Sequence, residues 1–184
     1  MAGDLQVRRL LPREASLYRD IRLEALQQDP AAFGSTFEDE AAEPLAFFAD
    51  RLRGSAVFGA FRGEELLGLA GFRIQPGTKN AHKGQLWGMY VRPQARAAGI
   101  GRRLVEAVIE HARPLVELIQ LTVVSDNDGA RRLYQRFGFV AYGTERHAMK
   151  HRGRYYDDVL MAKPLVLASG GEDTERQREG QGGQ

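Results

Sequence analysis

The sequence predicts a single α/β domain in which helices cover both faces of a mixed sheet of about six to seven strands. Strand-like apolar runs alternate with segments of helical periodicity through the middle of the chain, an order typical of α/β folds. A glycine-containing junction separates a predicted strand from a predicted helix at residues 96–101. The length of 184 residues, 43% of them hydrophobic, suits one core.

The strand predictions rest on short apolar runs that are bounded by turn residues. Gly63, Glu64 and Glu65 join two such runs as a hairpin, and a basic loop at residues 147–154 separates the last two. The predicted strands cover residues 6–11, 56–62, 66–74, 85–91, 118–124, 139–146 and 155–162.

The helix predictions rest on apolar residues at helical spacing and on residues that begin or end helices. Residues 31–43 lack a clear pattern and are predicted to be irregular. The predicted helices are bounded by Pro12 and Asp29, by Pro44 and Gly54, by Gly101 and Pro114, and by Ala130 and Gly138.

Charge and cysteine content restrict the classes of function. The chain has 26 basic and 24 acidic residues and a net charge of +2, so a sequence-wide attraction to nucleic acid or to an anionic membrane is not indicated. It has no cysteine, which excludes a disulfide, a thiolate nucleophile and a cysteine metal site. Neither a secretory signal nor a membrane span is visible, and we expect a cytoplasmic protein.

The chain divides into one domain and a tail. Residues 5–166 carry all of the predicted elements, whereas residues 169–184 have almost no apolar content and are rich in Gly, Glu, Gln and Arg. Such a composition cannot bury enough apolar surface to fold, so we expect a disordered tail.

The junction between strand and helix has the features of an anion site. The first amides of a helix lack partners within the helix, and the helix dipole adds about half a positive charge there. Arg96, Gly99 and Gly101 stand at this point, and glycine lets a ligand approach the backbone. The third glycine of the dinucleotide motif and the triphosphate-binding motif are both absent, so we expect another phosphate-bearing ligand.

A second motif follows about 26 residues later. It reads Asn127-Asp128-Gly129-Ala130-Arg131-Arg132-Leu133-Tyr134-Gln135-Arg136-Phe137-Gly138-Phe139. The segment predicts a short helix with Asn127 at its start and Tyr134 two turns later.

Together, the Arg96-x-x-Gly99-x-Gly101 loop and the segment from Asn127 to Phe139 resemble the GCN5-related N-acetyltransferase superfamily, in its small bacterial form. The resemblance covers residues 5–165 in order and spacing. It implies acetyl transfer from acetyl-CoA, as co-substrate, to a primary amine of a small molecule or of a protein amino terminus. It also implies a splay between the fourth and fifth strands that receives the pantetheine arm.

The resemblance further implies roles for individual residues. Backbone amides of residues 96–101 would hold the pyrophosphate, strand residues 89–91 would pair with pantetheine, and an amide near Met89 would polarise the acetyl carbonyl. Tyr134 would protonate the leaving thiolate as general acid, which is chemically reasonable for a phenol of pKa about 10 beside a thiol of pKa about 8.5. The expected cofactor-binding residues are Met89, Tyr90, Val91, Arg96, Ala97, Ala98, Gly99, Ile100, Gly101, Arg102, Asn127 and Ala130.

The chain departs from the family pattern at two places. Ala97 and Ala98 stand where many relatives have glycine and a basic residue, although Arg102 and Arg103 could compensate. The fourth strand lacks the carboxylate that many relatives use as general base, so the base cannot be carried over from the resemblance. Glu38, Glu145 and Asp157 are candidates by their location, and a water chain or a backbone carbonyl is the alternative.

The acceptor side is less defined by motifs, although residues 22–26 and 29–35 resemble the acceptor-side region of small bacterial members of the superfamily. Phe33, Trp87, Glu145 and Tyr155 are the expected substrate contacts, although Trp87 could equally be a core residue. We expect no metal site, because the spacing of His147 and His151 is loose and a third ligand is missing. We expect a small-molecule or peptide amine as the partner. We expect no membrane partner, and the sequence does not favour nucleic acid.

Three further alternatives stay open from the sequence alone. A CoA-binding regulatory module without turnover would fit the missing strand carboxylate, and an acetyltransferase acting on aminoacyl-tRNA would fit the excess of Arg over Lys. Near-zero net charge weakens the tRNA alternative. Association as a homodimer is also left open.

Overall fold

The computed structural model of the protein describes residues 4–165. The predicted disordered tail at residues 169–184 lies outside this range. Within it, seven strands form one sheet in the order β1-β2-β3-β4-β5-β7-β6. Its strands are β1 Leu5–Arg9, β2 Ala56–Arg62, β3 Glu65–Ile74, β4 Lys83–Val91, β5 Leu118–Val124, β6 Val140–His151 and β7 Arg154–Pro164.

Helices cover both faces of the sheet, as predicted. Helices α1 and α3 pack on one face, around fully buried Tyr18 and Phe48, and helices α4 and α5 pack on the other. Burial of Leu104, Val105 and Val108 follows the helical spacing that predicted α4. The helices are α1 Ala15–Gln28, α2 Phe37–Ala41, α3 Leu45–Gly54, α4 Ile100–Ala112 and α5 Asp128–Arg136.

Strands β4 and β5 form the parallel pair of this sheet, and they separate after a short stretch. Lys83, Gly84 and Gln85 pair with Leu118, Ile119 and Gln120. Beyond Gln85 the pairing stops, although β4 continues to Val91 and β5 to Val124. This gap is the predicted splay between the fourth and fifth strands, and together with the mixed sheet it confirms the predicted fold class.

The stretch at residues 31–43, predicted to be irregular, contains a helix. Thr36 begins α2, because its side-chain oxygen accepts a hydrogen bond from the Asp39 amide at 3.2 Å. Glu38, Asp39 and Glu40 lie in the first turn, where negative charge complements the helix dipole. A helix this short carries little apolar periodicity, which explains why the sequence pattern did not predict it.

The predicted loop at residues 147–154 was also wrong, because most of it belongs to the hairpin of β6 and β7. The hairpin closes through two residues with positive φ, Arg152 and Gly153, which suits the right-handed twist of paired strands. A bulge in β6 is held where the His147 amide donates to Asp157 Oδ1 at 2.8 Å. Both strands were predicted, but the polar and basic composition of residues 147–151 gave no strand pattern, so the predicted strand at residues 139–146 ended before β6 does.

Strand β6 is an edge of the sheet, and Val140 and Tyr142 are exposed on it. The expectation of a homodimer stays a prediction. None of the helices in the described range is long and apolar enough to cross a membrane.

Candidate active site

The glycine junction folds into a tight turn that opens directly onto a helix. Gly99 precedes α4 with a φ of 74°, and Ala97 has a φ of 65°. The Arg103 amide donates to the Gly99 carbonyl at 3.2 Å as the first bond of the helix. The amides of Ile100, Gly101 and Arg102 therefore have no acceptor within the helix, which is the arrangement that the predicted anion site requires.

The arginine side chains at this junction are directed elsewhere. Arg96 donates to the Val91 carbonyl at 3.0 Å and to the Asp29 carboxylate at 2.5 Å, so it ties the turn to the end of α1. Arg102 forms an exposed ion pair with Glu106 at 2.9 Å. Backbone amides rather than these guanidinium groups are what the turn offers to a phosphate.

Strand β4 carries a bulge beside the splay. Opposite β3, Gly71 pairs with Trp87 and Leu69 pairs with Tyr90, so one residue of β3 opposes both Gly88 and Met89. Gly88 has a φ of 64°, which suits glycine at a bulge. The bulge takes backbone groups of this segment out of the ladder just where the sequence placed the carbonyl-polarising amide.

A side chain of helix α1 holds the hydroxyl of Tyr90 in place. Its hydroxyl donates to Glu24 at 3.0 Å, and Arg92 forms an ion pair with the same carboxylate. Burial, followed by the neighbouring Glu24 carboxylate, raises the pKa of Tyr90 to about 12. Tyr90 therefore stays neutral and holds β4 against α1, while Met89 packs towards α4 and α5.

Asn127 begins helix α5. Its Oδ1 accepts a hydrogen bond from the Ala130 amide at 3.1 Å, which is a helix N-cap. The cap uses the oxygen of the side-chain amide and leaves the Nδ2 donor for another partner. The sequence predicted capping residues at 125–128 with Asn127 at the start of the helix, and in the structure Asn127 forms the cap.

Tyr134 lies on the buried face of α5. Its ring is 4% exposed and meets Phe139 edge to face, with 5.8 Å between the ring centroids. Gly138, with a φ of 82°, ends the helix, and the amides of Gly138 and Phe139 donate to the carbonyls of Gln135 and Tyr134. Burial raises the pKa of the Tyr134 phenol, so it stays protonated at neutral pH.

Gly101 brings the predicted cofactor segments together. A Cβ at this position would lie 3.3 Å from Leu133 of α5 and 3.3 Å from Met89 of β4. The lack of a side chain therefore allows the start of α4 to pack closely against both elements. The turn, the bulged strand and the Tyr134 helix form one continuous region on the α4 and α5 side.

A cavity of about 490 Å³ opens on the α1 and α3 side of the splay. Strand β4 supplies Gln85, Leu86, Trp87 and Gly88, and β5 supplies Thr122, which lies in the separated part of the strand. The remaining wall comes from β3 and from the region of α1 to α3: Arg22, Ala32, Phe33, Gly34, Ser35, Glu40, Arg51, Ser55 and Arg73.

The cavity contains a buried ion triad. Glu40 accepts two hydrogen bonds from Arg22, at 3.0 and 2.7 Å, and one from Arg51 at 3.1 Å. Arg51 also donates to the Tyr18 hydroxyl at 3.5 Å. Burial acts to raise the pKa of Glu40, but the two guanidinium groups outweigh it and hold that pKa below its ordinary value. Glu40 is therefore a fixed anion and a poor proton acceptor.

Two of the four expected substrate contacts line this cavity. Phe33 lies under the Arg22 guanidinium, 4.9 Å from ring centroid to Cζ, and Trp87 packs over Gly71, where a Cβ would lie 2.4 Å from the indole. The indole Nε1 of Trp87 is buried without a hydrogen-bond partner among the described residues. The other two do not line the cavity: Glu145 lies on the exposed face of β6, and Tyr155 stacks on His147.

The predicted base candidates are also placed away from the cavity wall. Glu38 is exposed on α2, and Asp157 is used by the His147 amide. Asp158 was not singled out by the sequence, yet its Oδ1 is buried without a partner in the described range. Burial, followed by Glu145 and Asp157, raises the pKa of Asp158. Asp158 is opposite Val124, on the same face of the sheet as Thr122.

The family resemblance placed residues 22–26 and 29–35 on the acceptor side, and Arg22, Phe33, Gly34 and Ser35 do line the cavity. The sequence did not identify Arg51 and Arg73, because they are far apart in the chain and follow no motif. The available signal was a pair of glycines, since Gly71 makes room for Trp87 and Gly88 allows the bulge. No group of three or more His, Asp or Glu residues capable of holding a metal occurs in residues 4–165.

Fold and site together define an α/β protein with a backbone anion turn on one side of an opened sheet and a charged cavity on the other. The chain belongs to the acetyltransferase (GNAT) family, whose family model matches residues 18–139.

Comparison with curated proteins gives partial matches. The chain is 36% identical to mycothiol acetyltransferase from Streptomyces scabiei over 92 residues, covering 50% of this chain and 29% of that protein. It is 31% identical to spermine/spermidine N(1)-acetyltransferase from Bacillus subtilis over 84 residues, covering 43% of this chain and 55% of that protein. The matches thus span about half or less of the length of these relatives.

Solved structures share the whole fold. A GNAT-family acetyltransferase from Streptococcus pneumoniae superposes with a TM-score of 0.78 at 23% identity, covering 88% of this chain and all of that one (100%). A protein from Salmonella typhimurium solved with its cofactor acetyl-CoA gives a TM-score of 0.74 at 19% identity, covering 92% of this chain and 99% of that one. At these identities the likeness extends to the fold.

Ala97 lies in the left-handed region of backbone conformation, so a glycine substitution tests the strain of the turn. Replacing Ala97 by glycine removes a Cβ from a positive-φ residue, and we expect it to stabilise the fold by about 1 kcal/mol. Ala98→Gly is the matched control, because Ala98 does not have positive φ, and it should destabilise by about 0.5 to 1 kcal/mol. Urea unfolding measures both, and destabilisation by both variants to the same extent would contradict the turn geometry.

Glu40 should make stability depend on pH. We expect Glu40→Gln to destabilise the protein by about 3 to 5 kcal/mol at neutral pH, because it leaves buried Arg22 without its anion. Folding lowers the pKa of Glu40 below its ordinary value of 4.5. The extra stability of the unchanged protein over Glu40→Gln is therefore fully present above pH 4.5, and it is lost as the pH falls through the lowered pKa.

Unfolding curves of both proteins from neutral pH down to acid pH measure this difference. Glu38→Gln, an exposed change in the same helix, is the control and should alter stability by less than about 0.5 kcal/mol. A difference between unchanged protein and Glu40→Gln that stays constant with pH would show that Glu40 is not ionised in the fold.

Proposed function

We propose that the protein is an acetyl-CoA-dependent N-acetyltransferase that transfers the acetyl group directly to a primary amine. The observation that supports this most is that strand β4 joins three features: it separates from β5 beyond Gln85, its residues 85–88 line the cavity, and the amide turn at residues 99–102 follows it. A long phosphate-bearing thioester could be held on one side while an amine enters from the other. Family membership agrees with this chemistry.

Acetyl-CoA would supply an acetyl group activated as a thioester. In this proposal the amides of residues 100–102 bind its pyrophosphate, and the edge of β4 left open beyond Gln85 pairs with the pantetheine arm. Backbone N–H groups at the bulge of Gly88 and Met89 donate to the carbonyl oxygen, where negative charge grows during attack.

Attack by the neutral amine forms the C–N bond and breaks the C–S bond of the thioester. Tyr134 would donate a proton to the leaving thiolate, and the proton that the amine loses would pass through water, which returns a proton to Tyr134. Its buried phenol holds its proton at neutral pH, and no other titratable group contributes to its raised pKa. The protonated form is the one that a proton donor requires, and the raised pKa makes this phenol a weaker acid than a free one. Direct attack is preferred to an acyl-enzyme, because the chain has no cysteine and the cavity wall shows no serine paired with histidine.

The acceptor would be a small molecule or a peptide amino terminus. The names of the curated relatives, mycothiol acetyltransferase and spermine/spermidine N(1)-acetyltransferase, favour a small molecule. A protein amino terminus also stays in the proposal, because of a Brucella melitensis structure named ribosomal-protein-alanine N-acetyltransferase. That structure gives a TM-score of 0.72 at 25% identity, covering 87% of this chain and 99% of that one. A cytoplasmic location stays a prediction.

Release of free thiol from acetyl-CoA in the presence of a panel of amines tests this function. We expect thiol release that requires both protein and amine, with acetylated amine identified by mass. Failure to bind CoA together with no thiol release from any amine would exclude the proposal, whereas CoA binding without turnover would favour a regulatory CoA-binding module.

The Tyr134→Phe variant isolates the proton donor. We expect kcat to fall about 100-fold or more while CoA affinity and fold are retained, because the ring and its packing on Phe139 persist. Tyr142→Phe, an exposed change on β6, is the matched control and should leave kcat unchanged. An unchanged kcat for Tyr134→Phe would assign proton donation to another group or to water.

Two variants of Asn127 separate its cap from a contact to CoA. Aspartate also caps helices, so Asn127→Asp keeps the acceptor for the Ala130 amide and removes the Nδ2 donor, whereas Asn127→Ala removes both. We expect Asn127→Asp to retain stability and to weaken CoA binding roughly fivefold to tenfold. Calorimetry and unfolding measure the two effects, and full CoA affinity in Asn127→Asp would limit Asn127 to its structural role.

A further inference from the structure

The cavity wall carries more positive than negative side chains. Among the titratable side chains that line it, three are arginines, Arg22, Arg51 and Arg73, and one is acidic, Glu40. Glu40 is buried between the first two arginines and neutralises one of them. The wall therefore keeps a net positive charge in a partly enclosed space, where electrostatic attraction is stronger than on an open surface.

The two remaining positive groups have donors to spare. Arg51 uses Nη1 for Glu40 and Tyr18, while its Nε and Nη2 donate no hydrogen bond to the described residues. Arg73 donates Nε and Nη2 to Gln85 Oε1, at 3.1 and 2.7 Å, but this partner is neutral. Neither guanidinium charge is therefore cancelled by an anion of its own.

Aromatic packing orients Arg51 in the wall. Its guanidinium lies 4.5 Å from the ring centroid of Phe47 and 5.9 Å from that of Trp87. Together with Glu40, these rings hold a half-buried guanidinium in one position before any ligand arrives. A planar guanidinium with free, fixed donors is the usual protein partner of a carboxylate or phosphate-type oxyanion.

We propose that the amine acceptor carries an oxyanion, such as a carboxylate or a phosphonate, which Arg51 and Arg73 bind while the amine is presented towards Gly88 and the splay. This inference rests on the proposed acetyl transfer, and it names the substrate class of that same site. A polycation would be disfavoured, because its second ammonium would meet the arginines of the wall.

Matched primary amines test the charge preference. Each amine is offered in four forms, with a carboxylate, with a phosphonate, with a neutral carboxamide and with a second amino group, and spermidine is added as a polycation. We expect kcat/KM for the acid-bearing form to exceed those for the carboxamide and the diamine about tenfold or more. The ratio between carboxylate and phosphonate then identifies the kind of oxyanion.

Two variants link the preference to the cavity. Arg73→Gln should raise KM for the acid-bearing amine about tenfold and bring its kcat/KM close to that of the carboxamide, and Arg51→Lys, which keeps a charge beside Glu40, should also weaken the preference. Arg62→Gln on β2, an exposed arginine outside the cavity, is the matched control and should change neither value.

The outcomes separate the inference from the function on which it rests. Thiol release with equal rates for acid and carboxamide, or with spermidine preferred, would overturn the inference and leave acetyl transfer intact. A preference for acids that survives both Arg73→Gln and Arg51→Lys would also overturn it. No CoA binding and no turnover of any amine would overturn the proposed function itself.

Discussion

The separation of β4 from β5 is the constraint on which the rest of this structure depends. Parallel strands normally continue their ladder, yet these two pair through Gln85 and Gln120 and then part. Backbone groups that lose a ladder partner need water or a ligand. The gap therefore leaves an open strand edge that can bind an extended ligand, beside the cavity that Gly88 and Thr122 line.

The two faces of the sheet present different polar groups beside this gap. On the α4 side, the polar groups are backbone amides at a helix start, and Gly101 allows that start to pack against Leu133 and Met89. On the α1 side, the polar groups are guanidinium side chains arranged around one buried carboxylate. Backbone amides suit an invariant phosphate, whereas side chains can be exchanged to suit an acceptor.

The buried triad also shows how the acceptor side is kept rigid. Placing Glu40 and Arg22 in the interior costs desolvation energy, which their ion pair offsets only because the two hydrogen bonds are short and Arg51 adds a third. Removing one member would leave an uncompensated charge. Helices α1, α2 and α3 each supply one member, so the ion triad joins the three elements that form the wall.

The sequence by itself determined the α/β class, most of the strands, the glycine turn, the α5 helix with Asn127 and Tyr134, and the family resemblance. All of these depend on neighbours a few residues apart, where periodicity, capping and turn chemistry act. Helix α2 and the second part of β6, residues 147–151, were missed, because α2 depends on a single cap at Thr36 and this part of β6 on cross-strand register. Only the tertiary structure decided which side chains line the cavity. Arg22, Glu40, Arg51 and Arg73 come from three helices and a strand, and local sequence carries no information about a wall assembled by packing.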